Sequence, residues 1–437
     1  MASKYLKLYD GLADSLPGRN LGWLQVKRQA ARAQFSSSGF PSPRAEEWKY
    51  TNVSPIEKKL FKPGLQGVAG EFDPNWVERH RLPEAWSLVL VNGRFSPTLS
   101  RLDGLPSGVT AIAMAEALEQ VPERVEALLG TTLSGEQHGF IAFNTAFFAD
   151  GAFVELASGV VLEKPLQILH VNVDQDGLAN TRCLVSLAQN TSAHILETFA
   201  GAPRQGYLTS AVTEIVLGAN ASLEHYKVQC ESERAFHFGG TYVSQQPSAR
   251  FTQHNLAFGG LLVRNEIHAD LGKGAECHMN GLFLTSERQH VDNHTLINHR
   301  EPCGVSRENY RGVLSDRSRG VFQGRIIVQP DAQKTQAEMS NRNLLLSDDA
   351  EIDTKPQLEI LADDVKCAHG VTVGQLAPES VFYLESRGID RVSARNMLTF
   401  AFANEMIEKI RLPGLRSQVQ EHLLNLFPQA GIRRDWL

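Results

Sequence analysis

Four short stretches decide the fold reading: Thr191-Ser192-Ala193-His194-Ile195, Ala219-Asn220-Ala221-Ser222-Leu223, Pro247-Ser248-Ala249-Arg250-Phe251 and Lys273-Gly274-Ala275-Glu276-Cys277. Each is a small turn running into an alternating strand. Aligned on their central alanines they recur 28, 28 and 26 residues apart, and a similar unit stands at Asp348-Asp349-Ala350-Glu351-Ile352. A near-constant period of this size predicts stacked β-coils. One coil cannot bury its own apolar face, whereas stacked coils share a continuous core. A large β-sandwich is the alternative, but its turn signals would lack a fixed coil length. Around these units helical periodicity disappears from about residue 140 for more than two hundred residues, and short runs such as Thr213-Glu214-Ile215-Val216-Leu217 take over. This is all-β texture.

The flanks read differently. The segment Gly22 to Ala31 has helical composition and is interrupted by Pro41 and Pro43. Ser87-Leu88-Val89-Leu90-Val91 reads as a strand, and Asn92-Gly93 after it is a hairpin signal. Residues 111–129, with Ile112, Ala115, Leu118, Val125 and Leu128-Leu129, form a helical patch broken near Pro122. Helices return after about residue 376. Pro378 suits a first helical position and Gly388 a stop. Asp390 suits an N-cap for a stripe of Ala394, Leu398, Phe402, Met406 and Ile410, widened by Ala401. A last helix carries Leu415, Val419, Leu423 and Leu426. The chain therefore divides into a mixed, largely helical region over 1–139, a β core over 140–376 and a helical region over 377–437. The C-terminal helices are expected to cap the solenoid, to dock a partner, or both.

Composition narrows the function classes. The 437 residues are 42% apolar and 21% charged, with a net charge of −6. That balance opposes broad nucleic-acid binding, which needs a basic face. Lys58, Lys59 and Lys62 read as a solvated group. Met1 to Leu8 has no apolar leader and no stretch approaches a membrane span, so a cytosolic chain is expected. Cys183, Cys230, Cys277, Cys303 and Cys367 are scattered, with no C-x-x-C pair, as expected in a reducing compartment.

Catalytic motifs are missing. Gly272-Lys273-Gly274 lacks the spacing of a phosphate loop, and neither a G-x-S-x-G elbow nor an H-E-x-x-H helix occurs. The chain is expected to be no enzyme by itself. Six histidines (His254, His268, His278, His290, His294 and His299) lie between residues 254 and 299. His290 and His294 have metal-ligand spacing only on a helix, and their surroundings read as strand or turn. The sharpest local feature is Cys367-Ala368-His369. On a strand, residues i and i+2 share a face about 7 Å apart. A thiolate and an imidazole there could address one iron or sulfur species. Lys366 is expected to help lower the thiol pKa. Two ligands are too few for a closed site, so a second chain would supply the rest; a buried cysteine beside an ordinary histidine is the commoner reading of such a pair.

Asp364-Val365-Lys366-Cys367-Ala368-His369-Gly370-Val371-Thr372-Val373-Gly374, followed by Phe382-Tyr383-Leu384-Glu385-Ser386-Arg387-Gly388-Ile389, closely resembles the C-terminal signature of the SufB/SufD family of iron–sulfur cluster assembly scaffolds. Glu46-Glu47-Trp48-Lys49-Tyr50-Thr51 resembles an N-terminal signature of that family. Phe143 to Phe147, Asp150-Gly151 and Val160 to Pro165 resemble its entry into the β core. Within the family the chain looks like the SufD branch. SufB-like chains carry an acidic residue after the signature histidine, where Gly370 stands here.

The resemblance implies a right-handed parallel β-helix flanked by helical N-terminal and C-terminal regions. It implies pairing with a SufB-like subunit and docking of a SufC-like ABC-type ATPase on the helices from Pro378 to Leu426. A transient iron–sulfur cluster would form at the interface with SufB, where Cys367 and His369 match the SufD positions. ATP would act only through SufC. Sulfur would arrive from a desulfurase through a sulfur carrier. A reduced flavin is associated with such complexes, although no flavin fingerprint stands in this sequence. The resemblance leaves room for a homodimer of the isolated chain. Two rivals stay open: a β-helix enzyme acting on polysaccharide, and a purely structural partner of SufB that touches no cluster.

Overall fold

The computed structural model describes residues 2–63, 74–133 and 138–426. The N-terminal part holds α1 (Ala2–Asp10), α2 (Gly22–Ser38), α3 (Ser54–Lys58), β1 (Lys62–Pro63), α4 (Pro74–His80), β2 (Trp86–Val91), β3 (Arg94–Phe95), β4 (Val109–Ala113), α5 (Met114–Gln120), α6 (Pro122–Leu128) and α7 (Gly139–Phe147). The strand run is β5 (Ala152–Leu156), β6 (Leu166–Asn172), β7 (Gly177–Leu187), β8 (Ser192–Gly201), β9 (Leu208–Leu217), β10 (Ser222–Cys230), β11 (Phe236–Gln245), β12 (Arg250–Ala257), β13 (Leu262–Leu271), β14 (Glu276–Thr285), β15 (His290–His299), β16 (Val305–Leu314), β17 (Arg319–Val328), β18 (Gln336–Leu345), β19 (Glu351–Ile360) and β20 (Lys366–Gly374). The chain then runs through α8 (Pro378–Ser386), α9 (Arg391–Ile407) and α10 (Pro413–Leu426). No helix among the described residues is long and apolar enough to cross a membrane.

Successive strands alternate between two parallel sheets. Odd-numbered strands from β5 to β19 form one sheet, even-numbered strands from β6 to β20 the other. Each coil thus gives one strand to each sheet, which is a parallel β-solenoid. Coils are 26 residues long between Arg250 and Glu276 and 31 between Val305 and Gln336. At the start, β2 turns into β3 through Asn92 and Gly93, both at positive φ (49° and 77°), and the hairpin pairs Val91 with Arg94. Two left-handed central residues match the twist of the flanking strands.

The ladder corrects the alanine alignment in two places. The N–H groups of Ser222, Arg250, Glu276, Val305, Gln336 and Lys366 donate to the carbonyls of Thr191, Ala221, Ala249, Ala275, Gly304 and Thr335. Thr191, not Ala193, is therefore the equivalent of Ala221. Ala350 precedes β19 and belongs to the odd sheet, whereas the other alanines serve the even sheet. The repeat is set by backbone shape rather than by alanine. Asn190, Asn220, Ser248, Gly274, Cys303 and Lys334, one residue ahead of this row, all hold φ between 57° and 64°. Asn and Gly suit such corners, but Cys and Lys are uncommon there. The sequence signal therefore fades after Gly274 while the geometry continues.

Both faces of both sheets are covered over most of the solenoid. The interior packs Ile195, Ile215, Leu223, Val243, Phe251, Ile267, Met279 and Ile297, among others. The outer face of the odd sheet meets the N-terminal helices through Phe35, Phe140, Phe143, Phe236, Phe238 and Tyr242. The outer face of the even sheet meets the C-terminal helices through Tyr226, Leu256, Leu282, Phe400, Met406 and Val419. The C-terminal helices thus lie along a side of the solenoid, which corrects the expectation that they cap its end. In α9 the buried residues include Ala394, Phe400, Ala403, Met406 and Ile407, while Ala401 is exposed and Phe402 half-buried. A four-residue repeat drifts about 40° per step on a helix of 3.6 residues per turn, so the buried stripe slides off it.

Two flank readings also change. Residues 139–147 are the helix α7, where the sequence had lost helical periodicity. Every residue of α7 is buried, so it has no polar face to create a stripe. Ile112 lies in β4 rather than in a helix, and the helical patch starts only at Met114. Asp390 caps α9 as read, its carboxylate accepting from the N–H groups of Val392 and Ser393.

Candidate functional site

On the even sheet the outer covering ends by β18, where Gln336, Glu338 and Arg342 are exposed, and the last coil is open. Among the described residues β20 pairs with β18 alone and β19 with β17 alone, and both strands are half-buried to exposed along their length. Cys367 and His369 sit on β20 opposite Ala337 and Met339 of β18, two buried interior residues. By strand alternation they share the interior face at the open end of the solenoid. Cys367 is half-buried against the core, and His369 is exposed.

The expectation for Lys366 is overturned. Its side chain lies on the opposite strand face from Cys367, and burial pushes the Cys367 thiol up rather than down. Among the described residues no third His, Cys, Asp or Glu joins Cys367 and His369 in a three-ligand group.

The backbone of β20 is oriented by one bond. The N–H of Lys366 donates to the carbonyl of Thr335, the residue just before β18. In a parallel ladder alternate residues serve alternate neighbours. Ala368, Gly370 and Thr372 therefore also face β18, while Cys367, His369, Val371 and Val373 turn their N–H and C=O groups to the open edge. The two residues with ligand side chains are thus also two of the four that can pair with another strand.

The N-terminal signature serves a different place. Trp48 is buried under the guanidinium of Arg264, 3.7 Å from its ring centre. Arg264 is itself buried, donating to Glu266 at 2.7 Å, to Asp292 at 2.8 Å and to the Glu47 carbonyl at 2.8 Å. Thr51 donates to Asp292 at 2.5 Å, and Glu46 pairs with Lys355 at 2.6 Å. Burial alone would raise the Glu266 and Asp292 carboxyls, but the groups facing them outweigh it and hold both low: His138 and Arg264 beside Glu266, His294 and Arg264 beside Asp292. Residues 46–51 are thereby clasped to the odd sheet beside a cavity of about 280 Å³.

The six histidines do not form one site. His254 stacks on Tyr226 on the even sheet, and His299 bonds Ser306. His290 and His294 do share a face of β15, but Asp292 between them is engaged by Arg264.

Comparison with known proteins agrees with this geometry. Residues 170–402 match the family model described as "SUF system FeS cluster assembly, SufBD core domain", and residues 1–168 match "SufBD protein N-terminal region". The chain belongs to the SufB/SufD family. It is 32% identical to an iron–sulfur cluster assembly SufBD family protein of Synechocystis over 435 residues, covering 96% of this chain and 93% of that one. It is 32% identical to the iron–sulfur cluster assembly protein SufD of Escherichia coli over 392 residues, covering 88% and 89%. Protein ABCI7, chloroplastic, of Arabidopsis thaliana is 28% identical over 435 residues, covering 96% and 90%. The SufB/SufD family works in iron–sulfur cluster assembly.

One feature of this SufB/SufD chain was missed by sequence reasoning. Part of the solenoid interior is polar: His170, Glu197, His225, Lys227, Gln253, Asn255, Asn265 and Glu308 are all buried there. Lys227 donates to Asn265 at 2.7 Å, and burial pulls its pKa down to about 8. No signal could have found the row. Both faces of each sheet are buried, so a polar–apolar alternation does not say which side looks inward.

Proposed function

We propose that this chain is a SufD-like, non-catalytic scaffold subunit that builds the site of iron–sulfur cluster assembly jointly with a SufB-like subunit. The observation that carries the reading is the open edge of β20, where Cys367 and His369 stand on one face without a third ligand among the described residues. A partner strand along this edge would bring the missing ligands. The two open edges differ in a way that supports β20 as the pairing edge. β19 carries Glu351, Asp353, Lys355, Glu359 and Pro356, residues that discourage edge pairing. β20 carries a single charge, Lys366, and no proline.

On this reading a SufC-like ATPase docks on the C-terminal helices. Phe382 and Tyr383 of α8, both more exposed than buried, support that placement. ATP acts only through that ATPase, and the iron and sulfide are cargo. Sulfur arrives from a desulfurase through a carrier, and a reduced flavin belongs to the assembled complex rather than to this chain. The isolated chain pairs with a second copy through the same edge. We place the complex in the cytoplasm.

The test is the iron and acid-labile sulfide content of this chain co-purified with SufB-like and SufC-like partners. His369→Ala is expected to leave the complex assembled and to lose most of its cluster. An assembled complex with unchanged cluster content would leave this chain as a structural half of the scaffold.

A further inference from the structure

We propose that His170, Cys183 and Glu197 form a second metal site, closed inside the first coils of the solenoid, for a divalent first-row transition ion of the zinc or ferrous class. It is separate from Cys367 and His369 and needs no partner chain.

The three residues come from three consecutive strands. His170 and Glu197 lie on β6 and β8, neighbours in the even sheet, and Cys183 faces them from β7 of the odd sheet. Each offers one ligand atom, and these atoms lie within 4.8 Å of one another. A tetrahedral ion with bonds of about 2.0–2.3 Å holds its ligands roughly 3.5 Å apart, so closing the site asks for shifts of about 1 Å.

An independent observation points to a ligand. The His170 Nε2 atom is buried and lacks a hydrogen-bond partner. Its nearest carboxylate oxygen, on Glu197, is 3.5 Å away, too far for a good hydrogen bond. The ring cannot swing freely, because it is stacked on Phe199 at 4.2 Å with only 13° between planes. A buried imidazole nitrogen held in place without a partner calls for an explanation, and coordination supplies one.

The surroundings resemble an outer shell. Glu197 accepts from Thr213 at 3.0 Å and bonds His225 at 2.9 Å, and His225 reaches Gln253 at 2.7 Å with its other nitrogen. Such contacts orient the ligating groups of metal sites. Charge also favours the ion. Lys227 is the buried lysine facing two buried carboxylates, Glu197 and Glu231. On binding, the Cys183 thiol gives its proton to solvent; the thiolate and the Glu197 carboxylate then neutralise a divalent cation in a low-dielectric interior. A sulfur–nitrogen–oxygen donor set selects zinc or ferrous ions over magnesium or calcium. Three protein ligands leave one position for water.

The test uses the full chain, stripped of metal by a chelator, refolded without oxygen and titrated with Co²⁺, Zn²⁺ or Fe²⁺. The expected result is one tight equivalent per chain, a thiolate-to-cobalt charge-transfer band, and an X-ray absorption shell with a single sulfur beside nitrogen and oxygen. The band disappears in Cys183→Ser and survives in His369→Ala and Cys367→Ser. His225→Ala weakens binding about 10- to 100-fold. A shell without sulfur on the wild-type chain, which needs no variant to fold, overturns the proposal. So does a folded chain that takes up no tight equivalent, or a band that survives Cys183→Ser and vanishes in Cys367→Ser.

Discussion

Replacing Val371 by proline separates the edge of β20 from the strand itself. Val371 turns its backbone toward the open edge, whereas Thr372, one residue on, bonds β18; the ladder direction follows from Lys366 donating to Thr335. Proline at 371 removes an outward N–H and places a ring where a pairing strand would lie. It constrains Gly370 only to the extended backbone that residue already has. Edge positions tolerate proline, so the chain's own stability should change little. A partner strand would lose the bond at 371 and the bond on either side, two or three in all. At about 1 kcal/mol each this is ~2–3 kcal/mol, or about 30- to 150-fold in Kd. Thr372→Pro is the control. It breaks a bond to β18 and should destabilise the last coil by ~3 kcal/mol. The assay is sedimentation or surface-binding affinity for the SufB-like partner, beside urea unfolding of each variant alone. Val371→Pro binding within threefold of wild type would refute the edge-pairing argument.

Other expectations follow from buried charge and tight contacts. Arg264→Met leaves Glu266 and Asp292 buried without their shared cation and should cost ~3–5 kcal/mol. Arg325→Met, at the half-exposed pair with Glu359, should cost under about 1 kcal/mol in the same urea series; equal costs would contradict the clasp. Glu308 lies between Met279 and Met339 in the ladder, and burial raises its pKa to about 7. A raised carboxyl binds its proton more tightly folded than unfolded. Stability should therefore fall as pH rises from about 4.5 to 7 and then level off. Glu308→Gln should remove this slope and gain ~3 kcal/mol at pH 8, read by unfolding at both pH values. Gly151→Ala would drive a Cβ into the Arg182 carbonyl oxygen at a φ of 156°. It should cost ~3 kcal/mol or abolish soluble expression, and a wild-type melting temperature would count against the close approach.

The amino-acid sequence made the solenoid legible ahead of the β-sandwich alternative, because a period of turns survives in residue types wherever the corner takes Asn or Gly. It determined the helix starts at Pro378 and Asp390, which are local hydrogen-bonding and φ effects. It also determined that Cys367 and His369 share a face, since a two-residue spacing on a strand allows nothing else. Tertiary structure decided what depends on neighbours distant in the chain. The sequence could not show that the C-terminal helices lie beside the solenoid, because an apolar stripe does not name the surface it meets. Neither could it show that burial raises the Cys367 thiol, since desolvation is a property of the packed coil. The gathering of His170, Cys183 and Glu197 arises only when three strands stack, bringing together residues up to 27 positions apart that no single window of sequence joins.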